Sequence, residues 1–489
     1  MMQDYRYFPW SALFLGAALP VMGQGTWQRT YGGYSLDEGK AVIVTSDGDF
    51  VVAGNTGSFG AGGADIYVLK LDGNGEKIWS RTYGTPQMDH GTDVMETVDG
   101  GLVVAGFTNG LGNGGYDGYL LKLDGDGNLL WERTYGGADW EFLHAVCPAQ
   151  GGGMVVAGLK YGDGAGGGRA WLLKVDDMGE VVWERTYGDS METTANAVVA
   201  TSDGGYIMAG AATVGGNQDA WLVKLNGDGD LGWDERVGGD SAEVATSVVE
   251  LANGGFVAVG TTKSHGPHVE ALEFKLDAVG ELQWLQHWAQ VSGEESMDVV
   301  ELGDGRLLSV GYAAGIGSGG KDMYILFVDP SGNFLSGITN GGDNGDRDEV
   351  GNSVAVVPEG GYIIAGYTES FGFGTRDVYV VRTDSLGLTS STSVESVFDP
   401  LAVPEVDAPA DRHLFPTVVR PGEEVHVEWS QAQIRTLQLV DARGITSWRL
   451  TLGVGEEKFT LPELAAGVYI VLLDLEDGTR RTGKIVVHD

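Results

Sequence analysis

Acidic side chains recur at one fixed place along this 489-residue chain. Asp37, Asp89, Glu141, Glu243, Glu294 and Glu349 each stand five residues before the valine of a repeated apolar run, and only Thr193 breaks the series. Carboxylate oxygens set around a ring are hard ligands that suit Ca²⁺, so the six could form a cation or ligand ring at a channel mouth. The same oxygens could instead accept backbone N–H bonds from neighbouring loops and fix the spacing of the repeats. Other candidate chemistry is thinner. Among eight histidines, only His265 and His268 in "KSHGPH" and His90 beside Asp89 are suggestive. No Ser-His-Asp order, HExxH or phosphate-cradling loop is visible. "DGDGN" at Asp124 to Asn128 begins like a calcium loop, but Tyr135 fills the twelfth position where a bidentate glutamate belongs, and a hairpin turn explains it better. Carboxylates abound without any pair being singled out as acid and base for glycoside hydrolysis. Tyr34, Trp140 and Phe371 fall in variable loops, where they could stack on a sugar ring or pack along a strand edge.

The elements that must position these groups are strands. Eighty-one glycines beside 42% hydrophobic residues fit many tight turns between short strands. No segment has a sustained helical apolar period, so the chain reads as all-β. With 69 acidic against 30 basic residues, the formal charge is −39. That charge repels nucleic acid and anionic membrane surfaces, so neither is an expected partner. Cys147 is the only cysteine, which excludes an internal disulfide and a multi-cysteine metal site. No cofactor is indicated beyond the Ca²⁺ the acidic ring could take.

Trp27, Trp79, Trp131, Trp183, Trp233 and Trp284 are separated by 52, 52, 52, 50 and 51 residues, a period that suits a four-stranded propeller blade. In one unit, "AVIVTSDG", "FVVAGNT", "IYVLKLD" and "EKIWSRTYG" are strands bounded by Gly, Asp or Asn turns. The first strand recurs seven times, while the last unit lacks a fourth strand and the chain opens with a surplus one. Closing the ring by pairing 27–31 with 377–382 removes both loose edges and requires seven blades. The six tryptophans are expected to wedge between adjacent blades, contributing about 2–3 kcal/mol each through burial. If the three-residue turn sets the register, Trp79 faces Leu69, Arg81 faces Tyr67 and Tyr83 faces Asp65.

The flanks differ in character. Residues 1–23 read as a secretory signal peptide, with Arg6, an apolar stretch and a small-residue exit. The propeller is expected over 25–392. Residues 393–412, with three prolines and few strand signals, read as a linker. Residues 413–489 alternate again, as a small immunoglobulin-like β-sandwich would. No membrane span is expected once the leader is removed.

Units such as "YDGYLLKLDGDGNLLWERTYGG" resemble a repeat of exported bacterial and archaeal propeller proteins, a resemblance that implies fold more than function. The Asp-x-x-Gly-x-x-x-Trp part is also similar to the tryptophan-docking repeat of quinoprotein dehydrogenases, but seven blades and one cysteine argue against that activity. The final segment resembles the C-terminal sorting domain of the type IX secretion system of Bacteroidota. The matching motifs are Phe415-Pro416, the Asp441 to Gly444 turn, "LPELAAGVYIVLL" with Gly467 and Tyr469, and the basic last strand with Lys484. Thr417 and Val418 stand where that family usually shows Asn-Pro. The resemblance implies the secretion machinery as a partner and a secreted or outer-surface location. The expected function is a non-catalytic binding or adhesion module for a glycan or protein ligand. An exported hydrolase or lyase acting on polysaccharide is the alternative, and a purely structural surface protein is a second.

Overall fold

The computed structural model describes residues 25–398, except 163–166, 189–191, 290–292, 315–319, 342–346 and 390–393, together with strands between 414 and 487. The signal peptide, most of the expected linker, Pro416 and Gly444 lie outside the described residues, as do the side chains of Phe415, Asp441, Tyr469 and Lys484. The chain divides into two units, one ending at Asp399 and one beginning at Pro400.

The first unit is a seven-bladed β-propeller. Blade one runs from an inner strand, Asp37–Val44, through Phe50–Thr56 and Asp65–Leu71 to an outer strand, Lys77–Tyr83. The middle two strands are buried on both faces, because each blade is covered by a neighbour on either side; they therefore read as continuous apolar runs. The turn into the outer strand is held by Asp72, whose Oδ1 accepts the N–H groups of Asn74 and Glu76 at 2.8 and 2.9 Å. Gly75 closes that turn at φ +79°, a conformation L side chains rarely adopt.

The surplus first strand completes the seventh blade. Trp27–Gly32 pairs antiparallel with Asp377–Thr383, placing Trp27 opposite Arg382 and Tyr31 opposite Val378. One correction concerns the expected linker: Glu395–Phe398 is a fifth strand of this blade, parallel to Trp27–Gly32 with Arg29 opposite Glu395. The short run is covered by its proline-rich surroundings in sequence, yet it caps an otherwise open edge. A second correction concerns register. Trp79 stands opposite Lys70, Arg81 opposite Val68 and Tyr83 opposite Ile66. A bulge between Lys70 and Leu71 takes up the extra residue and turns the whole outer strand over relative to the expectation.

Blades hold one another through the recurring Trp-x-Arg-Thr-Tyr. The Trp79 indole lies on the Gly127 turn of the next blade and donates to Gly125 O at 3.3 Å, while the Tyr83 hydroxyl bonds Gly127 O. Trp27 and Tyr31 hold Gly73 and Gly75 in the same way. Trp131, Trp183, Trp233 and Trp284 sit on Gly179, Gly229, Gly280 and Gly332. Each of these glycines has positive φ and a Cβ there would meet the indole, so turn geometry and wedge demand the same residue. Around the central channel every inner strand carries a bulge, and in several blades the bulged side chain bonds the following blade. Thr92 donates to Leu143 O (3.0 Å), Asn196 to Ala245 O (2.9 Å), Thr246 to Ser296 O (2.7 Å) and Asn352 to Gly39 O (2.7 Å).

In the second unit, Leu414–Phe415, Glu424–Val427 and Lys458–Thr460 form one sheet. Val418–Val419, Arg480–Val487, Gly467–Leu475, Ile434–Asp441 and Thr446–Thr451 form another, in that order.

Candidate functional site

The six carboxylates, Tyr34, Trp140, Phe371, His90, His265 and His268 lie on the face formed by the loops between second and third strands and between one blade's outer strand and the next inner strand. Rigid rings carry ligand contacts on such loops.

The six carboxylates do not converge. Each is 0–3% exposed at the start of its inner strand, and Asp37, Asp89, Glu141, Glu243 and Glu349 are engaged locally. Asp37 accepts from Gly33 N (2.8 Å) and Ser58 Oγ (2.7 Å), and also from the Thr56 hydroxyl. Asp89 accepts Thr85 N at 2.6 Å, Glu141 accepts Gly137 N at 3.0 Å, and Glu243 accepts Gly239 N at 2.7 Å and Thr262 Oγ1 at 2.6 Å. Glu349 accepts Thr368 Oγ1 at 2.8 Å. They fasten the variable loops, and among the described residues no three acidic, histidine or cysteine side chains form a metal-holding group.

Five of these carboxylates instead meet a second acid from the blade before, a partner the sequence reading missed. A Cβ on Gly32 would collide with both Asp377 and Asp37; on Gly84 with Asp65 and Asp89; on Gly136 with Asp117 and Glu141. Gly238 lies likewise between Asp219 and Glu243, and Gly341 between Asp322 and Glu349. Burial, with the neighbouring negative charge, pushes the Asp322 carboxyl up to about 6 and the Asp377 carboxyl up to about 7. The third-strand partners also fasten loops: Asp377 Oδ2 accepts from Phe373 N and Gly374 N, and Asp65 Oδ2 from Ala61 N.

The three aromatics separate. Tyr34 and Phe371 lie in loops where blade seven meets blade one, and Phe371 packs on Tyr379 at 6.2 Å. Trp140 stands with its indole 55% exposed, at the end of a continuous cluster spanning blades two and three. His90 stacks on Phe107 (4.9 Å, 30°), Phe107 meets Tyr116 and Phe142 edge-on (5.5 and 4.9 Å), and Trp140 meets Tyr116 and Tyr161 edge-on (6.2 and 6.5 Å). Gly115 lets the indole lie against its loop, since a Cβ there would strike the ring. Burial, aided by the Lys40 charge, lowers the His90 imidazole's pKa, so it stacks as a neutral ring. Trp140 and His90 were singled out in the sequence, but not as neighbours, because the other rings join them only through the fold.

A third feature sits at blades five and six. His265 and His287 stack at 4.1 Å and 11°, and His287 Nδ1 lies 2.7 Å from Glu270 Oε2. Nearby, Lys263, His268, Tyr312 and Lys321 line an open cleft of about 390 Å³, with the Lys321 ammonium 3.9 Å over the Tyr312 ring. His265 and His268 were visible in "KSHGPH"; His287 and Glu270 join His265 only through the blade geometry.

The fold and this face define a seven-bladed propeller with an aromatic surface on its variable loops. No protein-family profile matches the sequence, and no curated protein sequence does. Among solved structures, the chain is similar to PorZ, described as an essential bacterial surface component of the type IX secretion system of Porphyromonas gingivalis (13% identity, TM-score 0.41). That match covers 91% of this chain but only 58% of PorZ, so the chain spans little more than half of that protein's length. It is also similar to the extracellular domain of a hybrid two-component system from B. thetaiotaomicron (11% identity, 92% of this chain and 56% of that one, TM-score 0.40). A third is the polysaccharide lyase Uly1 (10% identity, 76% and 94%, TM-score 0.46). Among the described residues no helix is long and apolar enough to cross a membrane.

Proposed function

We propose that this chain is an exported binding module, secreted or held at the outer cell surface, that takes a glycan on the aromatic cluster of blades two and three without transforming it. The observation that carries this reading is the run of half-buried rings from His90 to Tyr161, ending in an exposed Trp140. Pre-ordered aromatic faces suit the apolar faces of sugar rings and need little reordering on binding. Export would use residues 1–23 as signal peptide and 413–489 as the type IX sorting domain, a reading supported by the motif order around Phe415, Asp441, Gly467, Tyr469 and Lys484. The test is retention of the purified chain on immobilised oligosaccharides. Trp140→Ala should weaken retention at least tenfold, and Trp140→Phe should restore part of it. A protein ligand would instead survive competition by every free sugar, and a structural role would leave no retention to lose.

One observation favours a second reading, an enzyme acting on polysaccharide. The stacked His265 and His287, Glu270 and the Lys263–Tyr312–Lys321 cleft collect groups able to move protons and to neutralise an acidic sugar. Product release from uronate-containing polysaccharides, lost in His287→Ala, would favour it over binding alone.

A further inference from the structure

Buried like charges need a compensating group. At the two junctions flanking blade one, all four carboxylates are 0–1% exposed: Asp377 with Asp37, and Asp65 with Asp89. Within these pairs, Asp377 Oδ1, Asp65 Oδ1 and Asp89 Oδ1 have no hydrogen-bond partner among the described residues, although their companion oxygens hold loop N–H groups. Asp377 Oδ1 and Asp65 Oδ1 point at the methyl-sized volumes over Gly32 and Gly84 that the opposing carboxylates Asp37 and Asp89 also face. An unpaired charge in such a place is costly, and two are costlier.

Two other junctions reveal what the fold puts there. Where blade three meets blade four, Arg169 replaces the third-strand acid and Thr193 the inner-strand acid. The Arg169 guanidinium bonds the carbonyl of Gly188, the counterpart of Gly32 and Gly84. Where blade five meets blade six, the imidazole of His287 sits on Glu270. At one junction the acid pair is exchanged for a cation, and at the other a basic ring sits on the third-strand acid.

We propose that the pairs Asp37/Asp377 and Asp65/Asp89 each hold one Ca²⁺, which fastens the variable loops at either side of blade one. Two carboxylates, a backbone carbonyl at the position of Gly188 and water supply the oxygen set that this ion accepts. The proposal is independent of the glycan reading, since it concerns loop attachment rather than the aromatic face. The test uses the full chain, stripped with a chelator and titrated with Ca²⁺ in salt that screens the surface charge. Ca²⁺ should raise the melting temperature by about 5 °C, with two tight sites by calorimetry. Asp65→Asn should remove one site and Asp377→Asn the other. These amides relieve the repulsion, so the variants should fold without Ca²⁺ at least as well as the stripped parent, while Asp228→Asn in an exposed turn should keep both sites. A melting temperature indifferent to Ca²⁺ would overturn the proposal, as would an undiminished response in both amide variants. So would stabilisation by acid alone, the mark of pairs that share a proton.

Discussion

Truncating one wedge measures how firmly neighbouring blades are held. Trp79→Ala removes an indole that is 9% exposed, lies on Gly127 and donates to Gly125 O at 3.3 Å. Large-to-small changes of a buried Trp cost about 3–5 kcal/mol, including the cavity left behind. The lost indole bond adds about 1 kcal/mol, reduced because a carbonyl at a surface turn can turn to water. A central value of about 4 kcal/mol is divided by the entropy of unfolding, about 2.1 cal/mol/K per residue over roughly 370 residues, or about 0.8 kcal/mol/K. The melting temperature should therefore fall by about 5 °C in differential scanning calorimetry. Trp140→Ala, whose indole is mostly in water, should shift it by less than about 1 °C. If Trp79→Ala melted within a degree of the parent, the indole would not be bearing on the next blade, and the account of blade attachment would fail.

Three further outcomes follow from buried groups. Glu273 is fully buried with, among the described residues, only the Trp288 indole on its carboxylate, and burial pushes its pKa up to about 7. The folded state then binds a proton that the unfolded state has released, so stability falls as pH rises from about 4.5 to about 7. Glu273→Gln should raise the melting temperature at pH 8 and change it little at pH 5, with a difference on the order of 3 kcal/mol. Burial likewise pushes the Cys147 thiol up to about 12, so it should resist a thiol reagent in the native chain and react at once in denaturant. Tyr31→Phe removes a hydroxyl that bonds Gly75 O at 2.6 Å, and should cost about 1 kcal/mol by thermal melting.

Much of the ring was legible because its signals are local. Turn glycines and the tryptophan spacing mark four strands per unit, and a missing fourth strand at one end matched a spare at the other. Register was not legible, because the bulge at Lys70–Leu71 leaves no mark in a run of apolar residues. The strand at Glu395–Phe398 was hidden because four residues among prolines carry too little pattern. The acidic series was visible at Asp37 and its equivalents, but its partners were not, because the third-strand acids Asp65, Asp117 and Asp219 stand in a different part of each repeat. The useful signal was a recurring offset: Asp65 to Asp89, Asp117 to Glu141, Asp219 to Glu243 and Glu270 to Glu294 are each 24 residues apart, as are Arg169 and Thr193, while Asp322 to Glu349 is 27. The aromatic cluster offers no such offset, since its rings come from six separate positions joined only by the curvature of the ring.

The strand Trp27–Gly32 has a consequence for how the chain can be divided. It lies between Asp377–Thr383 and Glu395–Phe398, and its Trp27, Arg29 and Tyr31 all reach the Gly73–Gly75 turn of blade one. A chain lacking it would present an empty slot with a matching hydrogen-bond ladder on one side and a receptive turn on the other. Residues 25–33 supplied as a separate peptide should therefore act as a strand donor, restoring the ring by complementation and giving a point at which a label or cargo can be joined without entering the variable face.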